Sequence, residues 1–525
     1  MKAPLLGFTI TPMRWSILFF TFIAYFLANA QSGFIKAYDL EKPGLVFSDM
    51  LLFEDTLVVC GLSFPKDPPY KQGLLFAKLD TLGNVLSHTL HIDPLGNDYL
   101  FAEIPNKMIK VGDGTGYLLL AAIFQTNEAL VVKLDNDGAV EWIREYPDSL
   151  TIQDRNKAVV EVPDGFLVGG EKYLYDYQGD IYLMKIDKSG NKVWEKSYAV
   201  ANNRRDAFEN IFKTGENEYI ISSSTGAIQN VPWQQWQNTV KIFAIDSLGN
   251  EKWSWESSPS LEELWIKGLQ KTDDGGWAYA TARGEFEFDG YMKRQAKFMI
   301  RDSNFNVVEE RLLDDLDIGF YNYLIDLTPI SNGGWLGIGI NHEDVVDPFW
   351  AQAHGYAWMV RIDEAGDTLW TRNDLTFPDT PTYASLQFLH SAVELPSGSI
   401  IAAGYYQPDG PGPNLGVLIK VDKDGCLVNC TPLTLGEYPR RQESEIKVFP
   451  NPARSDITIE ISAPFLPEST WSLYNAVGQR VLVRKMERGA TEVQVPLTGV
   501  PPGLYFWEMS SGESRMGSGK LVVSK

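Results

Sequence analysis

Three observations predict an all-β chain. An apolar run followed by (K/R)-x-D-x-x-G, or a close variant, recurs seven times, with aspartates at Asp80, Asp135, Asp187, Asp246, Asp302, Asp363 and Asp422. A second motif alternates with it: a turn, then an aromatic or apolar strand rich in small residues, as in PDGFLVGG, DGGWAYAT and NGGWLGIG. The composition agrees, with 15 Trp, 23 Tyr and 27 Phe against 5 His and 3 Cys. Each unit therefore reads as strand, tight turn, strand, variable loop, strand, tight turn, strand. Four short strands per period of roughly 50 residues predict a β-propeller, here seven-bladed over residues 31–433. A small Ig-like β-sandwich is expected over residues 445–525.

The chain of 525 residues is too long for one ordinary domain, and its 44% hydrophobic and 22% charged content is that of a folded protein. The net charge of -22 excludes a general nucleic-acid or anionic-lipid binder. Residues Trp15 to Leu27 form an apolar run of 13, with Arg14 before it and Ala28-Asn29-Ala30 after it. This is the pattern of a secretory signal peptide over residues 1–30, cut after Ala30. An N-terminal anchor is the alternative, but a spanning helix needs about 20 apolar residues. Export makes an oxidising compartment available, so Cys426 and Cys430 are expected to pair, and Cys60, in LVVCGL, to be a buried thiol.

Within each unit, the Asp is expected to accept hydrogen bonds from backbone N–H groups two or three residues on, and Gly to supply a positive φ. Phe305 stands where the other units have that Gly. Trp142, Trp194, Trp253 and Trp370 follow their aspartates by seven residues, on the outer strand, where a flat ring packs between blades. The segment FIKAYDL, Phe34 to Leu40, resembles the fourth strand of the other units (WEKSYAV) and is expected to complete the last blade. Pairing first with last removes two free sheet edges.

Candidate chemistry is sparse. Asp135-Asn136-Asp137-Gly138 and Asp422-Lys423-Asp424-Gly425 resemble calcium loops but lack the distal Glu of an EF-hand. Turn formation explains them, and no cofactor is expected; calcium is the one ion these loops would take. His88 and His91 lie three apart on a strand and point to opposite faces, and His342-Glu343-Asp344 falls in an expected loop. No nucleophile elbow, H-E-x-x-H or Walker loop occurs. The connections between second and third strands differ most and carry Tyr70, Tyr175, Trp233, Trp236, Phe349, Trp350, Tyr356 and Tyr405. Aromatics among polar residues suit contact with a glycan or a protein, at little entropy cost. The competing reading is that these rings cover blade ends.

Two family resemblances follow from these residues. The D-x-x-G-x-x-x-W spacing resembles the tryptophan-docking repeat of quinoprotein propellers, whose dehydrogenases use pyrroloquinoline quinone and calcium; the adjacent Cys pair of many such enzymes is missing. Past a polar linker over residues 434–444, the tail carries Phe449-Pro450-Asn451-Pro452, Leu473-Tyr474-Asn475 with Gly478, Pro502-Gly503-Leu504-Tyr505 and the closing Lys520 to Lys525. These resemble the type A C-terminal sorting domain of the type IX secretion system. The resemblance implies the type IX translocon and a surface sortase as partners, and a destination in the medium or on the outer membrane. From Glu445 onward there are 9 basic and 8 acidic residues, against 35 and 60 over Gln31 to Ser444, so the acidity belongs to the propeller. The expected protein is a monomeric exported binding or adhesion module for a glycan or protein. The alternative is an extracellular enzyme, a glycan hydrolase or lyase or a quinone-dependent dehydrogenase.

Overall fold

The structure is a computed structural model. It describes residues 33–524 apart from 41–43, 64–70, 101–106, 127, 148–152, 174–178, 199–203, 229–237, 287–291, 314–321, 346–352, 376–385, 409–412, 428–445, 462–468, 476–479, 486–491 and 512–513. The chain divides into two compact units, Met1–Pro432 and Leu433–Lys525. The expected signal peptide and linker lie outside the described residues.

In the first unit, strands fall into antiparallel groups of four. The group around Asp187 shows the rule: Gln153–Val162, Gly165–Tyr173, Gly179–Asp187 and Lys192–Tyr198 pair in chain order. Alternate side chains of one strand enter different cores: Phe166 and Val168 pack toward the preceding sheet, Leu167 toward the following one. A strand buried on both faces reads as a continuous apolar run, as these sequences do. The innermost strands are Leu45–Phe53, Met108–Lys110, Gln153–Val162, Arg204–Gly215, Lys267–Lys271, Tyr323–Pro329 and Leu386–Glu394. Each touches the next, and the last returns to the first. The fold is a β-propeller.

The repeat aspartates hold their turns more tightly than expected. In all seven, Asp Oδ1 accepts the backbone N–H groups two and four residues on, at 2.8–2.9 Å. The second acceptance falls at four residues because the loop spans three residues between Asp and its strand partner, as Asp187 N donates to Asn191 O.

Each turn docks on the outer strand of the preceding blade. On Lys192–Tyr198, Trp194 lies against Gly249, Lys196 Nζ donates to Leu248 O at 2.7 Å, and Tyr198 Oη donates to Gly249 O at 2.7 Å. A Cβ on Gly249 would stand 2.7 Å from the Trp194 ring, and its φ of +74° favours glycine independently. Phe34–Tyr38 repeats this arrangement. It pairs antiparallel with Leu415–Val421, while Lys36 Nζ reaches Leu82 O at 2.6 Å and Tyr38 Oη reaches Gly83 O at 2.7 Å. The N-terminal strand thus completes the last blade and grips the first.

Phe305 explains its own departure from the repeat. It holds φ +65°, and its ring stacks on Trp255 at 4.8 Å and on Trp277 at 5.7 Å, nearly parallel to both. A left-handed non-glycine residue costs about 1–2 kcal/mol, whereas the partly buried Phe305 ring makes aromatic contacts with Trp253, Trp255 and Trp277 worth about 0.5–1.5 kcal/mol each beyond their burial. The stack wins.

The second unit is two sheets around one core. Ile446–Phe449, Asp456–Ile461 and Glu492–Pro496 form one, and Arg480–Lys485, Ser469–Asn475, Gly503–Ser511 and Ser514–Val523 the other. Ile457, Ile459, Trp471, Leu473, Tyr505, Trp507 and Leu521 fill the space between.

The Phe305→Gly variant is expected to lose roughly 1–2 kcal/mol despite relieving the left-handed backbone. Urea unfolding checks this, and an unchanged midpoint would mean that the stack contributes nothing.

Candidate functional site

The axis of the propeller carries a rung of polar side chains placed by β-bulges. Register shifts interrupt the innermost strands between Phe47 and Asp49, Asn156 and Ala158, Phe208 and Asn210, and Leu389 and Ser391. The extra residues include Lys157, Glu209 and His390, because a bulge turns an additional side chain out of the pleat. Each bridges toward a neighbouring blade or supports the residue that does. Asp49, almost fully buried, accepts Met50 N at 2.8 Å, Lys107 N at 2.8 Å and Met108 N at 3.0 Å. Lys107 Nζ donates to Asn156 O at 3.0 Å and Lys157 O at 2.7 Å. Lys157 faces Glu171 at 3.4 Å, and Glu171 accepts Phe208 N at 3.0 Å. Glu209 pairs with Lys267, and His390 Nδ1 lies 2.9 Å from Phe47 O.

Burial in this rung moves the charges. Desolvation, with Lys157 adding to it, pushes the Lys107 ammonium well below its ordinary value. Asp326, on the sixth blade, retains some exposed surface although protein surrounds it. Desolvation first, and then the Asp49 carboxylate, push it up to about 6. Lys267 and the Leu327 N–H pull the other way.

An aromatic rung lies above the polar one. Trp265, Tyr323 and Phe388 stand two residues before Lys267, Ile325 and His390, toward the loop side, and all three are partly exposed. At about 3.3 Å per residue this places them roughly 7 Å along the axis. Trp265 meets Tyr323 edge-on at 5.8 Å, with the Arg294 guanidinium over its ring at 5.2 Å. Phe388 stacks on Tyr405 at 5.1 Å. Sequence reasoning missed Trp265, Tyr323 and Phe388, which lie at or just before innermost strands, and Arg294, which falls in a connection read there as a variable loop.

Of the aromatics expected on the loop face, Tyr70, Tyr175, Trp233, Trp236, Phe349 and Trp350 lie outside the described residues. Tyr356 is partly exposed and pairs across the sheet with Asn341. Tyr405 is a correction: it is 8% exposed, because Phe388 opposite it covers the ring. His342, Glu343 and Asp344 extend the strand Trp335–Val345, where a loop was expected. The backbone pairing of His342 with Gly355 carries the strand that far. His88 and His91 share the strand Val85–His91, and His91 Nε2 lies 2.7 Å from Gly138 O, at the neighbouring turn. Cys426 is disulfide-bonded and Cys60 is a buried free thiol; Cys430 lies outside the described residues. Among the described residues no group of three or more His, Cys, Asp or Glu is arranged to hold a metal ion. Asp135 and Asp422 spend Oδ1 on their own turns.

In the C-terminal unit, the FPNP segment borders the final strand. Asn451 Nδ2 donates to Lys520 O at 2.8 Å, and its Oδ1 accepts Val522 N at 2.9 Å. The side-chain amide thus does what a neighbouring strand's peptide would, between Pro450 and Pro452, which have no N–H to offer. Ala453 N continues the pairing to Val522 O at 2.8 Å. Tyr505 buries its ring and donates its hydroxyl to Pro501 O at 2.7 Å, and Gly503 pairs with Val523. Gly478 lies outside the described residues.

These contacts involve the residues that mark the tail, and residues 447–524 match the family described as a secretion system C-terminal sorting domain. The tail is a type IX sorting domain. Carrying it, the protein is secreted or attached at the cell surface. No curated protein sequence matches the chain. Among solved structures it is similar to a europium-containing methanol dehydrogenase, at 10% identity and TM-score 0.37, over 74% of this chain and 93% of that one. It is also similar to an α-L-arabinanase of Penicillium chrysogenum, at 10% identity and TM-score 0.33, over 74% and 97%. An α-L-arabinofuranosidase of Fusarium graminearum matches at 10% identity and TM-score 0.36, over the same shares. Likeness at this level carries no argument about activity.

The raised Asp326 carboxyl gives a pH prediction with a definite sign. Between about pH 4 and its folded value of about 6, the folded chain holds a proton that the unfolded chain has released. Asp326 therefore favours folding at acid pH, and its contribution falls as pH rises through that window. Asp326→Asn is expected to flatten the slope and to be more stable at pH 7.5, by up to about 3 kcal/mol. Urea midpoints from pH 4 to 7.5 check this; parallel curves for both proteins would refute it.

Proposed function

We propose that the chain is a monomeric, seven-bladed propeller that binds a glycan or protein outside the cell through its variable-loop face. A leader over residues 1–30 is removed after Ala30, the propeller spans 31–433, and a linker over 434–444 precedes the sorting domain. The type IX translocon and a surface sortase receive the tail. The observation that carries this reading is the division of labour between the faces. The Asp turns and the outer-strand side chains that grip them are occupied with joining blades. The loop side keeps partly exposed aromatics at Trp265, Tyr323, Tyr356 and Phe388.

The enzyme reading is favoured by one feature, the proximity of the Asp326 and Asp49 carboxyls on the axis. Glycoside hydrolysis uses two working carboxyls. Asp49 has both oxygens committed to backbone N–H groups, which makes it a strut. Binding is the better supported function.

Removing residues 433–525 is expected to leave the propeller inside the outer membrane; immunoblots of medium, surface and periplasmic fractions decide it, and unchanged surface or medium levels would refute the export reading. Trp233→Ala and Trp236→Ala are expected to weaken retention on a glycan array by about tenfold if the loop aromatics bind. Equal retention in both variants would remove them from the site.

A further inference from the structure

The four-stranded sheet of the sorting domain has an outer face that is apolar without serving the core. Alternation along Gly503–Ser511 and Ser514–Val523 sends Tyr505, Trp507, Leu521 and Val523 inward and turns Leu504, Phe506, Lys520 and Val522 outward. Leu504 is 47% exposed, Phe506 40% and Val522 39%. These side chains are neighbours: Leu504 pairs with Val522, and Phe506 pairs with Tyr474 on one side and Lys520 on the other. Arg480 pairs with Tyr474 and carries that row to the edge of the sheet, where the exposed Val483 stands opposite Ser472 on the same face. Among the described residues that face this way, Arg480, Lys485 and Lys520 are cationic and exposed, and Glu508 alone is acidic.

Part of the motif that marks the tail lies on this face. In Pro502-Gly503-Leu504-Tyr505 the core explains Tyr505, and in the closing segment it explains Leu521 and Val523. Leu504, Lys520 and Val522 have no such work inside the domain. Adjacent exposed apolar side chains rimmed by charge mark a contact surface. We propose that this face docks a protein of the export machinery, whose matching surface is apolar at its centre and sets carboxylates against Arg480, Lys485 and Lys520. Charge selects that occupant. A second copy of the chain would bring the same cationic excess to the seam, where like charges set together are costly. The proposal rests on the reading that the type IX machinery receives the tail, and it adds the surface by which it does so.

The test follows the full chain in a bacterium that exports by the type IX route, with immunoblots of medium, surface and periplasmic fractions. Leu504→Ser and Phe506→Ser are each expected to lower the medium and surface level about tenfold and to raise the periplasmic one. Phe506→Leu, which keeps an apolar side chain, should be exported nearly as the unaltered chain is. Lys520→Glu should lower export where Lys520→Arg does not. Glu460→Ser, at an exposed position on the other sheet, is the control expected to change nothing. Thermal melting of the purified chains confirms that each variant is folded; where a serine variant is not, Lys520→Glu against Lys520→Arg decides. Full export of folded Leu504→Ser and Phe506→Ser overturns the docking face, and if removal of residues 433–525 still blocks export, the export reading stands without it. An equal loss in Glu460→Ser also overturns it, since export would then respond to any change on the tail. Equal export of Lys520→Glu and Lys520→Arg overturns the acidic partner. A dimer of the unaltered chain in sedimentation that both serine variants dissociate, with export unchanged, assigns the face to a second copy instead.

Discussion

The first unit depends on one contact repeated around the ring: an outer-strand side chain laid over the tight turn of the next blade. A four-stranded sheet of this size cannot bury both faces alone, so each blade is stable only against its neighbours. The turn offers a flat patch because glycine has no side chain there, and the preceding strand covers it with Trp142, Trp194 or Trp370. Carbonyls left open by the turn are taken by Arg, Lys or Tyr of the same strand, as in Tyr146 to Gly190 O at 2.7 Å. Apolar burial and hydrogen bonding therefore reinforce one another at each joint. Phe305 keeps the joint by another route, filling the patch from the turn side and accepting a strained φ.

Closure follows from the same contact. Phe34–Tyr38 lies almost four hundred residues from its pairing partner, Leu415–Val421, and binding it closes a very long loop. Its reward is double, because it completes one sheet and grips the turn of another. The cores agree: Leu45, Phe47 and Leu57 of the first blade pack with Ile401, Ala403 and Leu418 of the last. Gly33 N also donates to Leu427 O at 2.7 Å, beside the disulfide-bonded Cys426.

The axis works on different physics. Charges there are expensive to desolvate, and they persist where they are matched, across a blade boundary as Glu209 is with Lys267 or within one blade as Lys157 is with Glu171. Asp326 is the exception, a carboxyl raised by its surroundings and partly open. The aromatic rung above it opens toward the loop side. One end of the propeller is thus committed to holding the ring together, and the other carries partly exposed aromatics.

The strand order, the Asp turns, the closing strand and the sorting motif were legible in the sequence because each is written locally. Asp and Gly at fixed spacing set a turn, a segment resembling WEKSYAV marks an outer strand, and the FPNP segment marks the sorting domain. The occupants of the axis were not legible. Lys157, Glu209 and His390 reach it through bulges, and nothing local distinguishes a bulged residue from its neighbours in a buried run. Tyr405 reads as an exposed loop aromatic until Phe388, on another strand, covers it. Trp265, Tyr323 and Arg294 come from two blades and meet only when the ring is assembled. The sequence by itself determined the parts and the order in which they join. Tertiary structure alone decided which side chains share the axis, because that depends on register between strands far apart in the chain.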